Sequence, residues 1–231
     1  MTSWWASLAI FNHVGGLMIL RWLHMVFGII WIGALFYFYF VQKSFSEELK
    51  NQEKLAALED EQKRVFYFAT ASVLSGAAAL LASSSMSFYS SWGICILLGS
   101  MLGALMWLNL CLIIRPQQKL ALNTFMQMAH AQTPPPGLEK NLLRMEQMSR
   151  TNLILALPML FFMGASSHLG IEVNAHSNAW LLWSLLLGIV AIVEINALNK
   201  KGLQIINNRR AVLGGIFLWS ALYLILEFFT K

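Results

Sequence analysis

Arg21 and His24 stand three residues apart, a spacing that puts both side chains on one face of a helix, about one turn from each other. They open an apolar run, Leu17–Val41, that otherwise has nothing to offer water. Ionisable groups inside a membrane-length helix are costly, so by default they face a partner, a cofactor or a cavity. His168 closes a second apolar run, Leu153–Leu169. Gly28 follows His24 by four residues, and Gly164 precedes His168 by four. Two imidazoles projecting from facing helices are what a bundle needs to bind a haem iron from both sides. A glycine one turn deeper on each histidine's own face leaves room for a flat macrocycle or for close helix approach. Arg21, one turn outward, could pair with haem propionates or snorkel to lipid headgroups. The expected cofactor is therefore haem b, with His24 and His168 as metal ligands and Arg21, Gly28 and Gly164 around the ring.

The elements that must position these residues follow from composition. The chain is 58% hydrophobic and 12% charged, where a soluble domain carries about 25% charged residues, so it is an integral membrane protein. The net charge of +5 is no nucleic-acid signature, because the basic residues fall in connections between apolar runs. Six runs approach the ~20 residues that cross a bilayer: 17–41, 66–83, 92–114, 153–169, 179–198 and 212–229. The expected fold is all-α, a bundle of six transmembrane helices forming a single domain over 1–231. Connections one, three and five are rich in Lys and Arg, whereas Ser84–Ser91 and Gly170–Asn178 contain none. The positive-inside rule then places both termini in the periplasm and the basic connections in the cytoplasm of a bacterial inner membrane. Run one travels inward and run four outward, so His24 and His168 arrive at a similar depth near the periplasmic face. A start without basic residues, followed by an overlong apolar run, argues against a cleavable signal peptide.

Other polar residues carry weaker signals. His13, His130 and His176 fall outside the apolar runs and read as solvated histidines. Cys95 and Cys111, 16 residues apart on one helix, lie about 24 Å from each other, too far to bridge. No CxxCH haem-attachment motif occurs. Asn109, Arg115, Lys119, Glu194 and Asn196 gather toward the cytoplasmic side, where Glu194 is placed to pair with Arg115 or Arg150. Gly99 and Gly103 form a GxxxG packing signal. Ser46–Arg64 reads as a solvated helix continuing run one, and Gln117–Gln132 as a helix broken by Pro134-Pro135-Pro136-Gly137. A short helix, Glu139–Met148, leads into run four.

Three segments, RWLHMVFGIIWIGALFYFYF, MWLNLCLIIRPQQK and SRTNLILALPMLFFMGASSH, resemble the N-terminal membrane domain of the bacterial membrane-bound urate hydroxylases. The third is the most specific, with Ser149-Arg150-Thr151-Asn152, Pro158-Met159-Leu160 and His168 in order. The resemblance marks Arg21, His24, Trp31, Gly33, Asn109, Pro116, Gln118, Lys119, Ser149, Arg150, Asn152, Pro158 and His168 as family positions. It implies a protein linked to urate oxidation that passes electrons to cytochrome c. In that family a c-type cytochrome domain follows, and these residues include none, so the expected electron acceptor is a separate soluble or membrane-bound c-type cytochrome.

The leading expectation is thus a membrane redox protein holding b-type haem, with urate oxidation as its specific version. A non-catalytic subunit or assembly factor of a respiratory complex is the alternative, and a homo-oligomer or respiratory-complex partner fits either reading. A permease fits less well, because the midplane positions are Leu, Ile, Phe, Met and Gly.

Overall fold

The structure, a computed structural model, describes residues 9–41, 55–83, 90–128, 137–170, 178–199 and 208–230. Among them it is all-helical. After a 3₁₀ turn, Ala9–Phe11, come α1 (His13–Phe40), α2 (Leu55–Ala82), α3 (Ser91–Asn109), a π-helical turn (Leu110–Ile114), α4 (Arg115–Met128), α5 (Leu138–His168), α6 (Ala179–Leu198) and α7 (Asn208–Thr230). Six spans among the described residues are long and apolar enough to cross a membrane. The chain is a multi-pass membrane protein.

Local chemistry sets the helix starts. The Asn12 side chain accepts from the Gly15 amide at 2.8 Å, Ser90 from Gly93 at 3.0 Å, and Asn178 from Trp180 and Leu181. Each satisfies amides that the first turn leaves without an intrahelical acceptor. Gly137 adopts φ 96°, a left-handed conformation that costs glycine nothing, and so turns the chain into α5.

Three boundaries differ from the sequence expectation. The polar helix expected to continue run one is instead continuous with run two over Leu55–Arg64, because no Gly or Pro occurs between Leu55 and Ser75 to interrupt it. Residues 46–54 of that expectation lie outside the described residues. Run three and the helix after it form one rod, joined through the π-turn at 110–114. Pro116 explains the turn: it donates no amide hydrogen and its ring crowds the carbonyl one turn back. The wider loop just ahead, closed by the Arg115 amide on the Leu110 carbonyl, accommodates it. Run four and its short leading helix likewise merge into α5, which carries Pro158 inside it.

α5 is the axis of the bundle. Leu153, Leu155, Ala156 and Phe162 are fully buried, and α3 and α7 pack on either side of it. Glycines permit both approaches. A Cβ on Gly99 would stand 3.1 Å from the Met163 amide nitrogen, and one on Gly215 only 2.9 Å from the Ile154 carbonyl oxygen. The GxxxG signal therefore marks a real helix contact, formed with α5. α1 packs mainly on α2. Its Met18, Trp22, Met25 and Ile29 are exposed, forming an apolar surface of the kind that meets lipid.

Candidate functional site

Two groups of polar residues interrupt this apolar bundle, one near each end. The first contains the histidines. Asn12 caps α1 so that His24 falls on the face packed against α2. There its Nδ1 lies 2.8 Å from the Ser72 carbonyl oxygen. As a carbonyl only accepts, Nδ1 is the nitrogen that donates to it. The Ser72 hydroxyl in turn donates to the His24 carbonyl at 3.3 Å. Gly76 makes room for the ring, since a Cβ there would sit 2.6 Å from His24 Nδ1.

His168 ends α5 with the same arrangement by another route. Its Nδ1 lies 2.9 Å from the Gly164 carbonyl one turn back, and its ring is exposed. Both imidazoles are therefore oriented through Nδ1 by a backbone carbonyl and present Nε2 as the available donor. That second bond is the usual companion of a ligating histidine, fixing its tautomer and ring direction.

The depth of the two rings can be compared through a shared level. Tyr39 of α1 stands beside Ser149 and Arg150 of α5. At ~1.5 Å per residue, His24 lies about 22 Å and His168 about 28 Å from that level, toward the same end. By that count both rings lie toward the same end of the bundle, and they form no hydrogen bond with each other.

The neighbouring residues divide. Gly28 faces Ser72, whose Oγ would be 3.3 Å from an added Cβ, so its missing side chain serves the approach of α1 and α2. Gly164 faces open space, with nothing within 4 Å of the corresponding position. Arg21 is exposed and has no carboxylate partner among the described residues. His13 is exposed at the start of α1, and His130 and His176 lie outside the described residues. Cys95 and Cys111 are free thiols. Among the described residues no three of His, Cys, Asp and Glu converge on a point.

The second group lies at the opposite end, where the basic connections are. A cavity of about 260 Å³ opens between α1, α2, the π-turn, α4, α5 and α7. Trp31, Leu35, Phe38 and Tyr39 form one wall, and Gln62, Gln118, Ser149, Arg150 and Asn152 bring polar groups to it. Trp31, Gln118, Ser149, Arg150 and Asn152 are all positions marked by the family resemblance, gathered here from three separate elements. Gln62 is 5% exposed, and its Oε1 has no hydrogen-bond partner. Arg150 donates through Nη2 to Glu146 at 3.4 Å while its buried Nε has no partner.

A buried amide network backs the cavity. Asn109 donates to Asn152 Oδ1 at 3.1 Å and to Glu194 Oε2 at 3.2 Å, and Asn152 donates to the Met106 carbonyl at 3.0 Å. Buried polar groups need such partners, because each one left unmet costs roughly 1–3 kcal/mol. The expected pairing of Glu194 with Arg115 or Arg150 is corrected: Glu194 takes its hydrogen bond from Asn109. Arg150 pairs instead with Glu146 four residues away, and Arg115 lies over the Phe66 ring at 5.8 Å. Spacing alone did not reveal this cavity, because its lining comes from six elements. The available signal was the polar triplet Ser149, Arg150 and Asn152 at the mouth of an apolar run.

Comparison with known proteins adds one finding. The profile of a family described as "Urate oxidase N-terminal" matches residues 12–66 and 57–225. No curated protein and no solved structure matches the chain. The matched stretch contains both histidines and every residue that lines the cavity.

Proposed function

The chain belongs to the urate oxidase N-terminal family, and from that premise we propose that it is the membrane redox component of a urate-oxidising system in the bacterial inner membrane. The observation that carries this reading is the matched pair of imidazoles, His24 and His168, each held by a backbone carbonyl through Nδ1 at one end of the bundle. Such a pair would hold haem b through two neutral imidazole nitrogens. When bound, haem supplies reversible one-electron transfer.

The protein's own residues do the rest. Ser72 and Gly164 fix the tautomers, and Gly76 gives the His24 ring its place. Gly164 keeps the face beside His168 open. Arg21, one turn from His24, supplies a positive charge suited to a propionate. On the positive-inside expectation the histidines lie near the periplasmic face, where a c-type cytochrome can accept electrons.

The test follows from the sequence. These 231 residues contain no CxxCH motif, so the assay adds a soluble c-type cytochrome as acceptor. Membranes carrying the chain are expected to turn urate over when a soluble c-type cytochrome is added, with reduction of that cytochrome, and to show no sustained turnover without it. Haem-containing membranes that ignore urate in the presence of the acceptor would sink the substrate assignment.

A further inference from the structure

We propose that the cavity between Trp31, Gln62 and Arg150 is the site that binds the substrate: a small planar oxo-heterocyclic anion carrying both N–H donors and carbonyl acceptors, represented by urate. The inference rests on the functional reading above and adds a place and a recognition mode, which the histidines do not supply.

The argument starts from two unmet atoms. Gln62 is almost wholly buried, yet its Oε1 accepts no hydrogen bond, and Arg150 Nε is buried and donates none. Buried polar groups are nearly always satisfied, and both side chains belong to the lining of one cavity, so an occupant with matching groups would complete them. Gln62 requires a donor and Arg150 an acceptor, preferably anionic. A quinone offers acceptors only and would leave Gln62 unmet. A simple carboxylate offers no donor either. A cyclic ureide such as urate, an anion at neutral pH, presents both on one rigid ring edge.

The rest of the lining agrees. Trp31, Phe38 and Tyr39 give flat apolar surface for a ring. A volume of about 260 Å³ lies near the lower end of the ~300–1,000 Å³ typical of small-molecule sites, which suits a fused bicycle. Glu146, also in the lining, opposes an anion, but its bond to Arg150 is a long i,i+4 contact of 3.4 Å. A pair of that kind, partly exposed, is weak enough to yield to a better-placed anion. Asn152 is held rigid by Met106 and Asn109, so its position does not depend on the ligand. The cavity also opens at the basic end of the bundle, where the surface potential favours an anion. Trp31 lies seven residues from His24 along α1, a rise of about 10 Å.

Equilibrium dialysis of urate against the purified full chain, alongside Arg150→Gln and Gln62→Leu, tests the assignment. Gln62→Leu removes an unsatisfied buried oxygen without changing size much, so this variant is expected to fold at least as well as the native chain. Both variants are expected to bind urate at least about tenfold more weakly, while the haem spectrum set by His24 and His168 stays unchanged. Leu143→Ala, an exposed change on α5, should leave binding alone. Urate-dependent cytochrome reduction by the native chain, with the same KM in Arg150→Gln and Gln62→Leu, would overturn the cavity and leave the function standing. A native chain that neither binds nor oxidises urate would overturn both.

Discussion

Replacing either His24 or His168 by alanine is expected to abolish the low-spin b-type absorption spectrum of the purified protein. The expectation comes from donor chemistry: haem held by His24 and His168 would lose one of its two imidazole donors in either variant. Most haem should then be lost, or remain as a high-spin form. His130→Ala and His176→Ala should retain the native spectrum, since both histidines fall outside the spans. Arg21→Ala is expected to keep the haem but lower its midpoint potential, because a positive charge nearby favours the reduced, less positive centre. If both His24→Ala and His168→Ala retain native haem content and spectrum, the ligand pair is wrong.

The second large effect should come from a residue that touches no ligand. Gly76→Ala places a Cβ where the Nδ1 of His24 now lies 2.6 Å away. The imidazole must then rotate off the Ser72 carbonyl, which frees the tautomer and misdirects Nε2. Loss of a second bond of this kind typically lowers metal affinity about 10–100-fold. Alanine suits a helix better than glycine does, so α2 itself should not suffer. The expected result is a shifted or weakened haem spectrum with native helical content, read by circular dichroism on the same sample. Gly188→Ala, where nothing lies within 4 Å of the added carbon, is the control and should change neither. An unaltered spectrum in Gly76→Ala would mean that the Ser72 contact does not position His24.

Much of this architecture is legible in the sequence because a bilayer imposes a simple rule. Any segment that crosses must be long, apolar and internally hydrogen-bonded. Ala179–Leu198 therefore has the same limits in the sequence and in the structure. The rule says nothing about where a helix stops once outside the bilayer, so it does not join Leu55–Arg64 to run two or carry the rod on through Pro116. Both boundaries concern polar residues, for which the apolar criterion is silent.

The site divides along the same line. His24 and His168 stand out because they are polar residues in apolar runs, and their shared end follows from counting helix directions. Their Nδ1 partners are backbone carbonyls, which every residue has, so no sequence pattern announces them. Gly28 is conspicuous by its spacing and serves the approach of α1 and α2, whereas Gly76, 48 residues after it along the chain, is the glycine that makes room for the His24 imidazole. The cavity is harder still. Gln62 sits in what the sequence presents as a solvated polar helix, and only the packing of α2 against α1 and α4 buries it. The network of Asn109, Asn152 and Glu194 joins residues 43 and 85 positions apart, which spacing cannot relate.

The most direct measurement of the central claim is anaerobic addition of urate to the purified, oxidised protein while its visible spectrum is recorded. The account predicts a b-type spectrum from the start and its conversion to the reduced form as urate is consumed. A preparation without haem, or one whose oxidised spectrum does not change with excess urate, would contradict it.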